Sequence, residues 1–457
     1  MPDYLAVTDT RELTEAGRAV VAKGFVQRSE FITDAERLGV SVKDYGAKGD
    51  GVTNDAAAVQ GALSEAAKGG VLNFPAGTYY MGGTTLSAVL SGPLSIQGNG
   101  VAKLVWDGSD GIKLTQNWAT HTVTVDGVTL LTRAKGVGVA LEIVGTGQNS
   151  TGTNLRPRTR NRGSITRVNI GGNSVEANSG GNGSELTDGW GKGIRLVDVM
   201  NFYGSQIHID GYAGPTPGAY VSTHGIEMVT HPTNTQAVDV DFDKLHVFFV
   251  QCALDVTDYE GVLVDQANFI AVGTGFRFVA TDSNTPLASF TNSQCAFINK
   301  AVDWRRVHQG LVDGANMYLH VNGGNPQGTA VYLEDVNASR VTDCMILGNG
   351  VTGGLKTGVT IAGTSSLNVV ESCTFYATVV NPVNLGASTS KNKVRNLNLA
   401  DAASQVVINA AGTANEVETE VSSFFGAPPV SRPQLPPSPT VQDIANALKS
   451  LGLVGQS

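Results

Sequence analysis

From Gly193 onward, a small residue followed by alternating apolar positions returns at near-regular intervals: Gly193-Ile194-Arg195-Leu196, Gly225-Ile226-Glu227-Met228, Ala253-Leu254-Asp255-Val256, Gly275-Phe276-Arg277-Phe278, Ala301-Val302-Asp303-Trp304, Ala330-Val331-Tyr332-Leu333 and Gly358-Val359-Thr360-Ile361. Counted from the first apolar residue of each unit, the spacings are 32, 28, 22, 26, 29 and 28 residues. A second apolar position follows in most units (Val264, Phe290, Val312, Val341, Val370). An Asn or Asp often comes next (Asp265, Asn292, Asp313, Asp343), then a third short run carrying Phe269, Phe297, Met317, Ile346 and Phe375. Three runs of period-2 alternation per unit predict three strands per unit. A single unit cannot bury its own apolar face, so the units must stack. The expected fold is therefore all-β, a parallel β-helix with three strands per rung. Residues 86–144 show the same alternation less cleanly.

The segment 145–191 breaks the pattern. It is rich in Gly, Asn and Ser, crowds Arg156, Arg158, Arg160 and Arg162 together, and reads as loops projecting from one side. The two ends differ from the body. Residues 9–24 place Leu13, Ala16, Val20 and Val21 on one face of a predicted helix. Residues 428–439 form a linker holding Pro428, Pro429, Pro433, Pro436, Pro437 and Pro439, a composition that is extended and semi-rigid. After it, Val441, Ile444, Leu448 and Leu451 fall at spacings of 3, 4 and 3, a short apolar seam on a terminal helix capped by Thr440. A helix of about 15 residues is marginal alone, so the seam implies a partner. The domain reading is 1–39 as an N-terminal helical attachment segment, 40–427 as the β-helix with its insertion near 145–191, 428–439 as the linker, and 440–457 as an assembly or docking helix.

At its start, the β-helix carries the chain's most specific motif. Residues 40–80 read VSVKDYGAKGDGVTNDAAAVQGALSEAAKGGVLNFPAGTYY. A short strand leads to a turn, Tyr45-Gly46-Ala47-Lys48-Gly49-Asp50-Gly51. A helix follows, with Val59, Leu63 and Ala67 on one face and Asn54 or Thr53 as its cap, and then a strand ends at Pro75-Ala76-Gly77-Thr78-Tyr79. Seven glycines between Gly46 and Gly77 permit sharp turns with positive φ. No Gly-Lys-Ser/Thr follows, which argues against a phosphate loop. The segment resembles the opening of the pectate-lyase-like right-handed β-helix superfamily, which occurs in polysaccharide-degrading enzymes and phage tail spikes. The resemblance implies a right-handed stack whose first open end is plugged by the helix.

Charged residues make up only 16 % of the 457, glycines number 56, and the net charge is −9. This suits a turn-rich β protein and disfavours a nucleic-acid binder. No apolar run approaches the ~18–20 residues of a membrane span, and the N-terminus lacks a secretion signal's basic and apolar regions. The expectation is a protein of the cytoplasm, or one that leaves the cell inside a released virion. Four cysteines are too few for a disulfide scaffold. Cys295, Cys344 and Cys373 stand in matching contexts and read as a buried column with Ala267 and Ala315.

Alternation puts the residue between two inward positions on the outer face. One strand per rung then gives an exterior row: Arg195, Glu227, Asp255, Arg277, Asp303, Tyr332, Thr360. Rungs lie about 4.8 Å apart, so Glu227 and Asp255 are adjacent carboxylates between two arginines. Retaining glycosidases need carboxyls about 5–5.5 Å apart, and one of such a pair can have a raised pKa and act as acid. The competing reading is a self-neutralising surface row. A second candidate is Asp239, Asp241 and Asp243, which period two places on one outer face for acid–base work or Ca²⁺ binding. These resemble the clustered aspartates of polygalacturonase-like β-helices, but no Asp-Asp pair is present and His224-Gly225 is only a fragment of that family's His-Gly motif. His208, His224 and His246 lie nearby. Trp118, Trp190, Tyr212 and Tyr220 could stack on sugar faces or pack inward. Arg195, Arg277, Trp190 and His224 are the candidate substrate-binding residues. The resemblance implies a trimeric tail-spike-like or minor tail protein of a phage virion, assembled in host cytoplasm, touching other tail proteins and a host-surface glycan. A purely structural virion component and a free bacterial lyase or glycosidase are the rival readings.

Overall fold

The computed structural model describes residues 39–417 except 118–121, 147–162, 175–187, 213–219, 231–238, 282–285, 321–324, 326, 349–353, 377, 401–408 and 411. The predicted helices at 9–24 and 440–457, the proline linker, Trp118 and the arginine run 156–162 lie outside these residues. Every paired strand is parallel to its partners, and the strands fall into three rows that wind around one core.

The opening segment folds as its glycines dictate. The helix Ala56–Ala66 buries Val59 and Leu63 and packs on the first strands, closing the N-terminal end of the core. Asn54 Oδ1 accepts from the Ala56 amide at 3.0 Å. Asp55 precedes the first helical turn and turns back. Its buried carboxylate accepts from the amides of Lys48 (2.6 Å) and Gly49 (2.8 Å), which ties the Gly-rich turn to the helix.

The first sheet is built from the repeats that begin with a small residue. Ile194, Ile226, Leu254, Phe276, Val302, Val331, Val359 and Val383 stand in register, all fully buried. The small residue is required by close approach between rungs. A Cβ on Gly225 would come within 2.6 Å of the Ala253 carbonyl oxygen and 2.5 Å of the Val247 side chain. In the second sheet, Val264, Phe290, Val312, Val341 and Val370 stack as expected. Its outward positions in the middle rungs include Asp241, Asp243, Asp265 and Asp313, interspersed with Leu263, Ser289, Thr291 and Leu311.

The third sheet corrects one expectation. Phe269 stacks on Cys295, then Met317, Ile346 and Phe375, so Phe297 belongs two positions further along. Cys344 and Cys373 stack with Ala267, Ser293 and Ala315, and Cys295 sits in the next column. The corner between the second and third sheets explains this. One residue per rung turns there with positive φ: Gln206, Lys244, Gln266, Asn292, Gly314, Asp343 and Ser372, at 50–60°. Counted from that corner, Ser293 matches Cys344 and Cys295 matches Ile346. Matching on the cysteine itself slips the register by two. All four cysteines are buried and unpaired by disulfides. The outward row of this sheet reads Asn169, His208, His246, Asn268, Gln294, Asn316, Met345, Thr374, Asn398.

Near the C-terminal end of the described rungs, buried asparagines bridge successive turns. Asn392 Oδ1 accepts from the Asn368 amide at 3.0 Å, and Asn415 Oδ1 accepts from the Asn392 amide at 3.0 Å. Each amide side chain satisfies backbone groups of the turn below it, which a sheet ladder cannot reach at a corner.

Candidate functional site

The outer row of the first sheet is where side-chain chemistry concentrates. Arg195 pairs in register with Glu227, Glu227 with Asp255, Asp255 with Arg277, Arg277 with Asp303 and Asp303 with Tyr332. The row also extends to the N-terminal side through Glu142 and Lys113. Side chains one rung apart on a parallel sheet are neighbours, so the charges meet directly.

A parallel second row was missed from the sequence. The residue before each small residue also points outward: Lys192, His224, Cys252, Thr274 and Lys300 stand in register. The signal was present, because each repeat has that position. It escaped notice because two successive inward residues (Gly193 and Ile194, for example) interrupt strict alternation.

The two rows and their neighbours surround each carboxylate with basic side chains. Glu142 contacts Lys113 Nζ and Arg195, both at 2.6 Å. Glu227 accepts from Lys192 Nζ at 2.6 Å and Arg195 Nε at 2.8 Å. Asp255 lies 3.1 Å from His224 Nε2 and 3.2 Å from Arg277 Nε. Its Oδ1 is buried and lacks an aligned hydrogen bond. Asp303 meets Lys300 at 2.7 Å and Arg305 at 3.2 Å, and Lys300 sits 4.2 Å from the Tyr332 ring centroid. Burial pushes the Glu227 carboxyl up, but the hydrogen bond and charge of Lys192, with His224 and Arg195, outweigh it and hold the group below its ordinary range. Glu142 behaves likewise, with burial opposed by Lys113 and Arg195. Glu227 is therefore a stable carboxylate, not the raised-pKa acid that adjacency suggested.

Beside these rows lies a pocket of about 520 Å³, lined among others by Tyr220, His224, Gln251, Thr274, Arg277 and Asn299. Its wall stands on a small apolar cluster outside the main core, formed by Tyr220, Ala271 and Ile298. Gln251 Nε2 donates to the Tyr220 carbonyl at 2.8 Å, which fixes the wall to the sheet. Asp255 stands behind His224 and Arg277 and presents them to the cavity. Cys252 also lines the pocket, but burial raises its thiol pKa well above the ordinary value. It supplies no thiolate.

Other expected residues lie elsewhere. Trp190 is 2 % exposed, stacks edge-on against Trp106 with centroids 5.6 Å apart, and donates Nε1–H to the Leu130 carbonyl. It is a core residue, which removes it from the sugar-binding set. Asp239 occupies a corner with φ +58°, before the strand Val240–Phe248 begins. Only Asp241 and Asp243 alternate along that strand, on the second sheet. The three do not form one row, and they stand on a different sheet from Glu227 and Asp255. Among the described residues, no three His, Cys, Asp or Glu side chains gather as a metal site. His208 and His246 lie on the third sheet, their ring centroids 6.2 Å apart.

Residues 39–241 match the family model described as rhamnogalacturonase A/epimerase, pectate lyase-like. A comparison with curated proteins returns no match. Among solved structures, the chain is similar to tailspike protein 3 of bacteriophage CBA120, at 12 % identity and a TM-score of 0.52, covering 86 % of this chain and 61 % of that one. It also aligns with the catalytic unit of an α-1,3-glucanase from Streptomyces thermodiastaticus (14 % identity, TM-score 0.43, covering 84 % of this chain and 68 % of that one). A third alignment is with the A-module of a mannuronan C-5 epimerase from Azotobacter vinelandii (14 % identity, TM-score 0.42, covering 83 % and 99 %). At such identities the tailspike likeness speaks to fold, and this chain spans under two thirds of that tailspike. Residues 39–241 are thus similar in sequence to pectate-lyase-like proteins, and the described rungs form a parallel β-helix.

Proposed function

We propose that this protein binds a host-surface polysaccharide along the first sheet, as a homo-oligomeric, tail-spike-like component of a phage virion. The observation that carries the glycan reading is the pocket beside the charged rows. It combines an aromatic side chain (Tyr220), two amides (Gln251, Asn299), a hydroxyl (Thr274), and the His224 and Arg277 side chains held forward by Asp255. Amides and hydroxyls match sugar hydroxyls, and Arg277 suits an anionic substituent. The printed name of the structural relative from CBA120 supports the virion part.

Glu227, held ionised by Lys192 and Arg195, is unsuited to act as a general acid, while an ionised carboxylate still fits a nucleophile or base; binding is the reading the pocket itself supports. Hydrolysis or lyase chemistry remains the second reading, carried by the one-rung spacing of Glu227 and Asp255. Titration of the full chain with host envelope polysaccharide tests the proposal. Arg277→Ala is expected to weaken binding about tenfold, the loss of one charge-assisted hydrogen bond. No binding to any host polysaccharide overturns the reading. New reducing ends or unsaturated uronates would make the protein an enzyme. Mass spectrometry of purified virions checks the location.

A further inference from the structure

The three outer faces of the β-helix differ in charge, and the difference bears on how copies of the chain meet. The second sheet presents Asp241, Asp243, Asp265 and Asp313 among uncharged residues in its middle rungs, and the carboxylates of two such faces repel. The first sheet carries carboxylates locked to cations, and its pocket needs access. The third sheet is different. From Asn169 to Asn398 its outward row holds amides, imidazoles, a methionine and a threonine, with no Asp, Glu, Lys or Arg over nine rungs. The adjoining outward positions run Asp210, Phe248, Ile270, Ala296 and Tyr318, so one carboxylate stands at the edge of the face, 2.9 Å from His208 Nε2.

We infer that copies of this chain associate through this largely uncharged face of the third sheet. The inference deepens the oligomer part of the reading above and is independent of glycan binding. Asn, Gln and neutral His each carry a donor and an acceptor, so a row of them is complementary to itself. Interface cores are depleted in charge and enriched in aromatics and Met, and here Phe248 lies 5.2 Å from His208 by ring centroid while Met345 is 38 % exposed. Nine rungs at ~4.8 Å, across a strand about 13 Å wide, offer roughly 500 Å² per copy. That gives roughly 1,000 Å² per pair, the area at which specific interfaces begin.

The test uses the full chain, with mass measured by light scattering after gel filtration. The wild type is expected to run as an oligomer, and the double variant Gln294→Glu/Asn316→Asp as a monomer with an unchanged circular dichroism spectrum. Ser289→Glu, which adds charge to the second sheet, is expected to leave the oligomer intact. Asn316→Cys adds an exposed thiol beside four buried ones, and mild oxidation is expected to give a covalent dimer without disturbing the fold. A monomeric wild type overturns the inference. So does an oligomer that survives the double variant with no cross-link through Cys at 316. Loss of glycan binding by the double variant at unchanged mass also overturns it, and assigns the face to a saccharide.

Discussion

The outer faces of the first and third sheets are made by the same rungs, over the same core, and carry opposite chemistry. One rung places Asp255 on the first sheet and Asn268 on the third, and the next places Arg277 and Gln294. The inward side chains are interchangeable in kind: Leu254, Phe276, Phe269 and Met317 are all fully buried and apolar. Stacking constrains the inward positions and leaves the outward ones free. The lesson is that in this architecture the fold is written on one side of each strand, and partner chemistry on the other.

The comparison breaks most sharply under mutation. Glu142→Ala strips a nearly buried carboxylate from Lys113 and Arg195. It should cost about 2 kcal/mol in urea denaturation, less than a fully buried pair because both cations are partly exposed. A smaller effect concerns acid. Glu142 and Glu227 have folded pKa values below the ordinary 4.5. They therefore contribute stability that is complete above about pH 5 and is lost as pH falls through the folded values. Stability should decline on acidification, and the double variant Glu142→Gln/Glu227→Gln should flatten that decline. An unchanged slope would show that other carboxylates, Glu371 with Arg340 and Arg395 among them, dominate. Smallest is the effect on the third sheet: Asn316→Ala should change the folding stability of the isolated chain by no more than about 0.5 kcal/mol. A large loss there would mean that the amide row stabilises the stack itself.

Much of this was legible in the chain. The seven exterior positions from Arg195 to Thr360 are neighbours in the order that alternation implies. The site was less so. Asp239 left the predicted row because a corner residue with positive φ looks like any other aspartate in a sequence. Trp190 falls inside the segment 145–191, whose composition reads as loops, yet its strand Gly189–Val197 pairs with Lys135–Thr146. Lys192 and Glu142, which set the state of Glu227 and the reach of Arg195, come from the neighbouring row and an earlier rung.

By itself the sequence determined the stacked rungs, the helix that closes their first end, and the residues sharing the exterior row. These rest on short-range periodicity and on the demand that every unit bury its apolar side. The tertiary structure alone decided which cations meet which carboxylates, that Glu227 is held ionised, and that a pocket forms between Tyr220 and Arg277. It also set apart the carboxylate-bearing second sheet and the largely uncharged third. Those outcomes depend on contacts between residues up to about 50 positions apart, such as Arg195 with Glu142, and on corners whose backbone sign no local pattern records.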